Sequence, residues 1–206
     1  ILSGVFTESL YLCLTLLCFY GARRQNWFLA SVAGACLSAT RSLGVLIIVP
    51  LLFEYLRSID FQLRKIRLNS LFLLLIPIGL ISFAIYNYQA TGDFLYFKTN
   101  QAAWGREIMN PVAVLWTALR QGITNPDAKE LLELCFSVVA LLLLNIFYTS
   151  IGSAYWLFGM YSLIITLSAG IDSTVRFTLH IYPLFIILAI LSRNNPIDIT
   201  ITLYLS

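Results

Sequence analysis

The sequence predicts an all-α fold, a polytopic transmembrane helical bundle, and three observations predict it. The 206 residues are 59% hydrophobic and only 11% charged, with a mean hydropathy of +0.84. A soluble domain carries about twice that charge. Several apolar segments reach the length that crosses a bilayer. Basic residues gather in short loops between them. Arg23 and Arg24, then Arg57, Arg64, Lys65 and Arg67, supply six of the thirteen, which is the positive-inside pattern. The net charge of +3 is therefore read as membrane topology, and no nucleic-acid partner is expected.

The first helix is expected from about Thr7 to Tyr20. "FTES" offers a Thr or Ser cap with Glu8 in the first turn, and "GARRQN" ends it on the cytoplasmic side. Trp27 to Leu56 has two readings: one long helix with Arg41 at mid-depth, or two short helices turning near "SATRSLG". One crossing would put Arg23 and Arg24 on the side opposite Arg64, Lys65 and Arg67, against the positive-inside rule. The hairpin puts both basic loops in the cytoplasm and Arg41 at the outer face, where a charge costs far less than at the bilayer centre. Its arms, about 14 residues or ~21 Å each, are shorter than a ~30 Å hydrocarbon core. Gly34 and Ala35 allow close helix contact.

The next crossing spans about Ser70 to Tyr88, with Pro77 predicting a kink. A region over 91–126 follows, too long for a tight connection and too aromatic for a disordered linker. It reads as an outward-facing loop with two short interfacial helices. One holds Phe94 to Trp104. The other follows Pro111, with Val112, Leu115, Trp116 and Leu119 on one side. Leu131 to Phe147 crosses inward, Tyr155 to Ser168 outward, and Phe177 to Leu191 inward again. Cys13, Cys18, Cys36 and Cys135 lie in apolar runs without CxxC spacing, so they read as small core residues. The chain opens at Ile1 beside an apolar run and stops inside "DITITLYLS". The expectation is a partial domain over 1–206 that continues beyond both ends.

This topology sends unlike polar residues to the outer face: Glu8, Arg41, Asp93, Lys98, Asn100, Gln101, Trp104, Arg106, Asp172, Arg176 and His180. Ionisable groups in a membrane bundle are functional candidates. Arg41 and Arg176 suit a phosphate or diphosphate, because guanidinium matches phosphate oxygens bidentately. They equally suit structural pairing with Glu8 or Asp172, or snorkelling toward headgroups. Glu8 is a base, an orienter of arginine, or a plain helix N-terminal carboxylate. His180 lies one turn beyond Arg176, so the two share a helical face. There it donates to phosphate or sugar hydroxyls, or is a satisfied bundle histidine. In "NQAAWGRE", Gln101 and Arg106 flank Trp104, a combination that suits a sugar or an amphipathic headgroup; an interfacial anchor is the simpler role. No ligand set for a metal is visible, while a divalent cation bound through phosphate stays open.

"FTESLYLCLTLLCFY", "LSATRSLGVLIIVPLL" and "GDFLYFKTNQAAWGRE", with "STVRFTLHIYPLFIILA" more weakly, resemble the PIG-V family of mannosyltransferases. The stretches lie in family order across most of the chain. The resemblance implies a GT-C-like glycosyltransferase fold, a dolichyl- or polyprenyl-phosphate mannose donor, and a glycolipid or other hydroxyl acceptor, as in GPI-anchor biosynthesis. It implies catalytic roles for Glu8, Arg41, Arg106, Arg176 and His180, and substrate binding by Asp93, Gln101 and Trp104. Where many members have "RSNG" this chain has "RSLG", so an amide contact beside Arg41 is lost or supplied elsewhere. The class usually carries its base on an outward loop after a first transmembrane helix. No such loop precedes Ile1, so the catalytic acid is expected upstream. Membrane lipids and a small membrane subunit are the further partners implied. The compartment is the plasma membrane in a prokaryote and the endoplasmic reticulum membrane in a eukaryote. Two rivals use the same residues: a transporter or flippase for a polar lipid or anion, and a non-catalytic subunit of a membrane assembly.

Overall fold

The computed structural model describes residues 7–94, 96, 109–124, 128–171, 174–178 and 180–192. Among them every regular element is helical, so the fold is all-α. The chain divides into two compact units, Ile1–Ile108 and Met109–Ser206.

In the first unit, α1 (Glu8–Arg23) and α2 (Trp27–Thr40) form an antiparallel pair. Asn26 caps α2, its side-chain oxygen accepting the Leu29 N–H at 3.1 Å. The two helices close tightly at Gly21, where an added Cβ would stand 2.8 Å from the Ala30 nitrogen. Helix α2 ends at Arg41, which is extended (φ −146°, ψ 135°). A 3-10 segment, Ser42–Ile47, then leads into α3 (Ile48–Ser58). Gly44 permits this return, because a Cβ there would collide with the Leu37 carbonyl.

Helix α3 runs back along α2. Trp27, the first residue of α2, meets Tyr55 near the end of α3 edge-to-face at 5.0 Å. Arg23 pairs with Glu54 at 3.6 Å, and the Tyr55 hydroxyl accepts the Arg67 N–H at 2.8 Å. The Trp27–Leu56 stretch is therefore a hairpin. Both basic loops gather at its open end, as the charge pattern requires.

A second 3-10 segment, Leu68–Leu74, continues into α4 (Leu75–Thr91). This element runs parallel to α2: Phe28 meets Phe72, Gly34 faces Ile76, and Gly79 faces Ala35. The Ser38 hydroxyl lies 2.6 Å from the Ile76 carbonyl oxygen and 2.9 Å from that of Ala35, sharing one proton between them. Gly34 and Ala35 thus do sit at a close helix contact, with α4 as the partner. Pro77 is the third residue of α4. It marks the change from 3-10 to α winding rather than a kink inside an α-helix.

The second unit contains α5 (Pro111–Thr124), α6 (Ala128–Ile146), the single turn α7 (Tyr148–Ile151), α8 (Ser153–Ser168), the short α9 (Thr174–Thr178) and α10 (Tyr182–Leu191). Its core joins Leu144, Leu163, Leu167, Ile181 and Ile187 from three helices and the turn before α10. Gly152 (φ 88°) separates α7 from α8. Helix α5 docks through Val114 and Ala118, both buried, with Leu115 partly buried against the core. Val112 (73% exposed), Trp116 and Leu119 form an outer apolar stripe, so Leu115 does not share their face.

Two further sequence expectations are corrected, and that of several spanning helices is met in part. Among the described residues one helix, Leu68–Thr91, is long and apolar enough to cross a membrane, with a mean hydropathy of 2.3. Trp27–Thr40, Leu131–Ile146, Ser153–Ser168 and Tyr182–Leu191 are apolar but shorter; Arg41 ends the first, Gly152 precedes the third and the His180–Ile181 turn precedes the fourth. Phe177–Leu191 is not one helix, since Pro183 at the second position of α10 lacks the N–H needed to continue α9 through it. Of the cysteines only Cys18 is buried; Cys13, Cys36 and Cys135 are exposed, lying on lateral apolar faces instead of in the core.

Candidate functional site

The hairpin tip meets the start of α1. Arg41 donates from Nη2 to Glu8 Oε1 at 2.8 Å and from Nε to Thr7 Oγ1 at 3.1 Å. Its guanidinium carbon lies 5.9 Å from the centre of the Tyr11 ring, within cation–π range. The Glu8 side chain is 1% exposed and that of Arg41 24%. One guanidinium face therefore locks onto a buried carboxylate while part of the group stays accessible.

Local sequence explains the arrangement. Thr7 stands at the N-cap of α1 but makes no capping bond; its hydroxyl accepts from Arg41 instead. Arg41 is freed to reach it by its extended backbone between α2 and the 3-10 segment. The pair is recessed. Ser38 is level with Ile76–Gly79. From Gly79 to the end of α4 is about 18 Å of helix and from Ser38 to Arg41 about 5 Å, so the tip stops ~13 Å short of the far end of α4. Arg41 thus lies at the end of the unit away from the basic loops, below the level of the α4 terminus.

Asp93 stands just past that far end. Gly92 closes α4 in the left-handed conformation (φ 79°), its N–H bonding the Tyr88 carbonyl at 2.8 Å. Tyr88 stacks on Phe94 at 4.2 Å. Gln101, Trp104 and Arg106 lie outside the described residues, as do Lys98, Asn100, Asp172 and most of the Phe94–Trp104 segment.

Arg176 and His180 belong to the second unit. Arg176 lies half-buried on α9. His180 is 6% exposed in the turn between α9 and α10. They are not successive turns of one helix, so the shared face expected from their spacing is lost; the proline break is the cause.

Two buried carboxylates were not singled out by sequence. Glu133 in α6 accepts the Val175 N–H through Oε2 at 2.7 Å. It thereby fixes the start of the short helix that carries Arg176. Glu54 anchors Arg23 at the basic end. The usable signal was an acidic residue inside an apolar run, "LLELCF" and "LLFEYL", which is costly in a membrane segment unless it has partners. Among the described residues no group of three or more His, Cys, Asp or Glu gathers as a metal set.

Comparison with protein-family models, curated proteins and solved structures finds no match. The family resemblance rests on the quoted stretches alone.

Proposed function

We propose that the chain is a polytopic integral membrane protein and that it acts as a glycosyltransferase, moving mannose from a polyprenyl-phosphate donor to a glycolipid hydroxyl. The membrane part is supported by what the helices leave uncovered. Only 17% of the apolar window in Leu68–Thr91 is buried, whereas the core helix of a soluble protein would be mostly buried. On α6, Leu132, Phe136, Val139, Leu142 and Ile146 are all exposed, an i, i+4, i+7 stripe suited to lipid. The shorter helices then act as packed crossings or part-crossings.

The Glu8–Arg41 pair carries the functional part. It is a recessed cation, fixed by a buried carboxylate and by Thr7, with its side chain 24% exposed. In transfer, the acceptor oxygen attacks the anomeric carbon as the bond to the lipid phosphate breaks. The phosphate leaves with the electron pair, and the acceptor proton passes to the loop carboxylate implied by the family resemblance. Arg41 stabilises charge developing on the leaving phosphate, and a single displacement inverts the anomeric centre. Glu8 is a positioning residue in this scheme, since its 1% exposure and its bond to Arg41 suit orientation better than proton transfer.

The test is an assay of the full-length protein in lipid nanodiscs, with polyprenyl-phosphate mannose and a membrane glycolipid acceptor. Arg41→Lys keeps the charge opposite Glu8 but loses the planar fork. Turnover should fall at least about tenfold with little change in the thermal unfolding profile. Unchanged turnover would remove Arg41 from the chemistry, and absence of transfer by the wild type would remove the enzyme.

A further inference from the structure

The end of the first unit opposite Arg41 carries a cleft that the proposed activity does not use. It measures about 580 Å³ and is lined by Arg64, Lys65, Arg67, Asn69 and Gln25 over a floor that includes Trp27 and Tyr55. Three cations face one lining carboxylate, Asp60. Side-chain amides from Gln25 and Asn69 add neutral donors. The Tyr55 hydroxyl holds the Arg67 N–H at 2.8 Å, which ties the basic loop to the hairpin.

The backbone here is costly. Gln25 (φ 57°), Asp60 (φ 52°) and Phe61 (φ 56°) are the non-glycine residues with positive φ among the described residues. Gln25 and Asp60 line the cleft, and Phe61 is the next residue. Each such residue costs about 1–2 kcal/mol relative to right-handed backbone. Strain gathered at one place is a pointer to a site. Ile66 lines the cleft and is half exposed, and its sequence neighbours Phe61, Leu63 and Leu68 are exposed, Leu68 to 81%. A soluble phosphate ligand would need no exposed apolar side chains beside its site. A lipid would, because its acyl chains continue from the headgroup.

We propose that this cleft binds the phosphate of an anionic phospholipid headgroup, with Arg64, Lys65 and Arg67 as its cations and the exposed apolar side chains of Phe61, Leu63, Ile66 and Leu68 against the acyl chains. The site is independent of glycosyl transfer and of Arg41. Arg57 shares this end of the unit but does not line the cleft, so it serves as the internal control.

Full-length protein is exchanged into nanodiscs of phosphatidylcholine with and without phosphatidylglycerol. Retained phosphatidylglycerol is counted by native mass spectrometry after release into detergent, and thermal unfolding is followed in both discs. The wild type should retain phosphatidylglycerol and unfold at higher temperature in its presence. Arg64→Gln/Lys65→Gln/Arg67→Gln should lower retention on the order of a hundredfold, from the contribution of each basic side chain near an anionic surface. Arg57→Gln should keep it. If the triple variant unfolds early in plain phosphatidylcholine, Arg64→Lys/Arg67→Lys, which preserves charge, should restore both fold and retention. Equal loss in Arg57→Gln, or undiminished retention in the triple variant, would overturn the site. Equal protection of the wild type by inorganic phosphate in plain discs would overturn the lipid as its occupant.

Discussion

Removing the two partners of the Glu8–Arg41 pair should have unequal consequences. Glu8 is 1% exposed and Arg41 24%. Arg41→Gln withdraws the cation from a carboxylate that water scarcely reaches. Breaking a buried pair from one side costs about 3–5 kcal/mol, and the access at Arg41 puts this case near ~3 kcal/mol. Glu8→Gln leaves Arg41 its Thr7 bond and its partial exposure, so the loss should be smaller, about 1–2 kcal/mol. The double variant removes both charges and should recover part of the larger loss, which requires a coupling of about 2–3 kcal/mol. The assay is equilibrium or apparent unfolding of all four proteins in the same lipid nanodisc, with helicity as the readout. Glu8→Gln proving as damaging as Arg41→Gln would refute the burial argument. A coupling near zero would refute the pair itself.

Four further outcomes follow from the packing. Gly79→Ala should destabilise by about 2–3 kcal/mol, because its Cβ would enter the Ala35 carbonyl and the Ser38 hydroxyl; unfolding temperature measures it. Gly159→Ala meets only the flexible end of Leu144, 2.7 Å from the built Cβ, and should cost less than half as much in the same measurement. Ser38→Ala loses the hydroxyl at the Ile76 carbonyl and should cost about 0.6–1 kcal/mol, the usual size for such bonds between membrane helices. Glu133→Ala leaves the Val175 N–H without its acceptor and should cost about 1–3 kcal/mol, while Glu133→Gln retains most of that bond; hydrogen exchange at Val175 distinguishes them.

Charge counting found the hairpin, and proline explains most of what periodicity missed. The positive-inside rule asked Arg23, Arg24, Arg64, Lys65 and Arg67 to share one side, and together with the cost of Arg41 at mid-depth that argument chose two helices over one at Trp27–Leu56. The lengths and joints were less legible. Pro50 and Pro77 each stand third in an α-helix that follows a 3-10 segment, Pro111 opens α5, and Pro183 is second in α10. At Pro111 and Pro183 the missing N–H falls among donors that a first turn leaves unbonded anyway, whereas Pro50 and Pro77 stand where 3-10 winding gives way to α. Read this way, Pro183 would have separated His180 from Arg176. Read as an interruption of a span, Pro77 suggested a kink. Apolar composition cannot make this distinction, because Leu and Ile continue unchanged through all three kinds of backbone.

Depth was also hidden, and it alters what Arg41 can do. An alternation of loops places residues on sides, but it carries no axial scale. The scale comes from Ser38, Ile76 and Gly79, which fix α2 against a longer α4. The hairpin tip then falls ~13 Å short of the far end of α4. A cation at the outermost surface would be screened by water and salt. Under the proposed function a recessed cation, held by Glu8 and Thr7, would act at lower effective dielectric, where attraction to a phosphate is stronger and the orientation is set in advance. If the pair instead served only to join α1 to the hairpin, an apolar substitute of similar volume would suffice. Glu8→Leu/Arg41→Met would then unfold at or above the wild-type temperature, as replaced buried pairs often do, and keep full transfer activity. Under the proposed function the same double variant is stable and inactive.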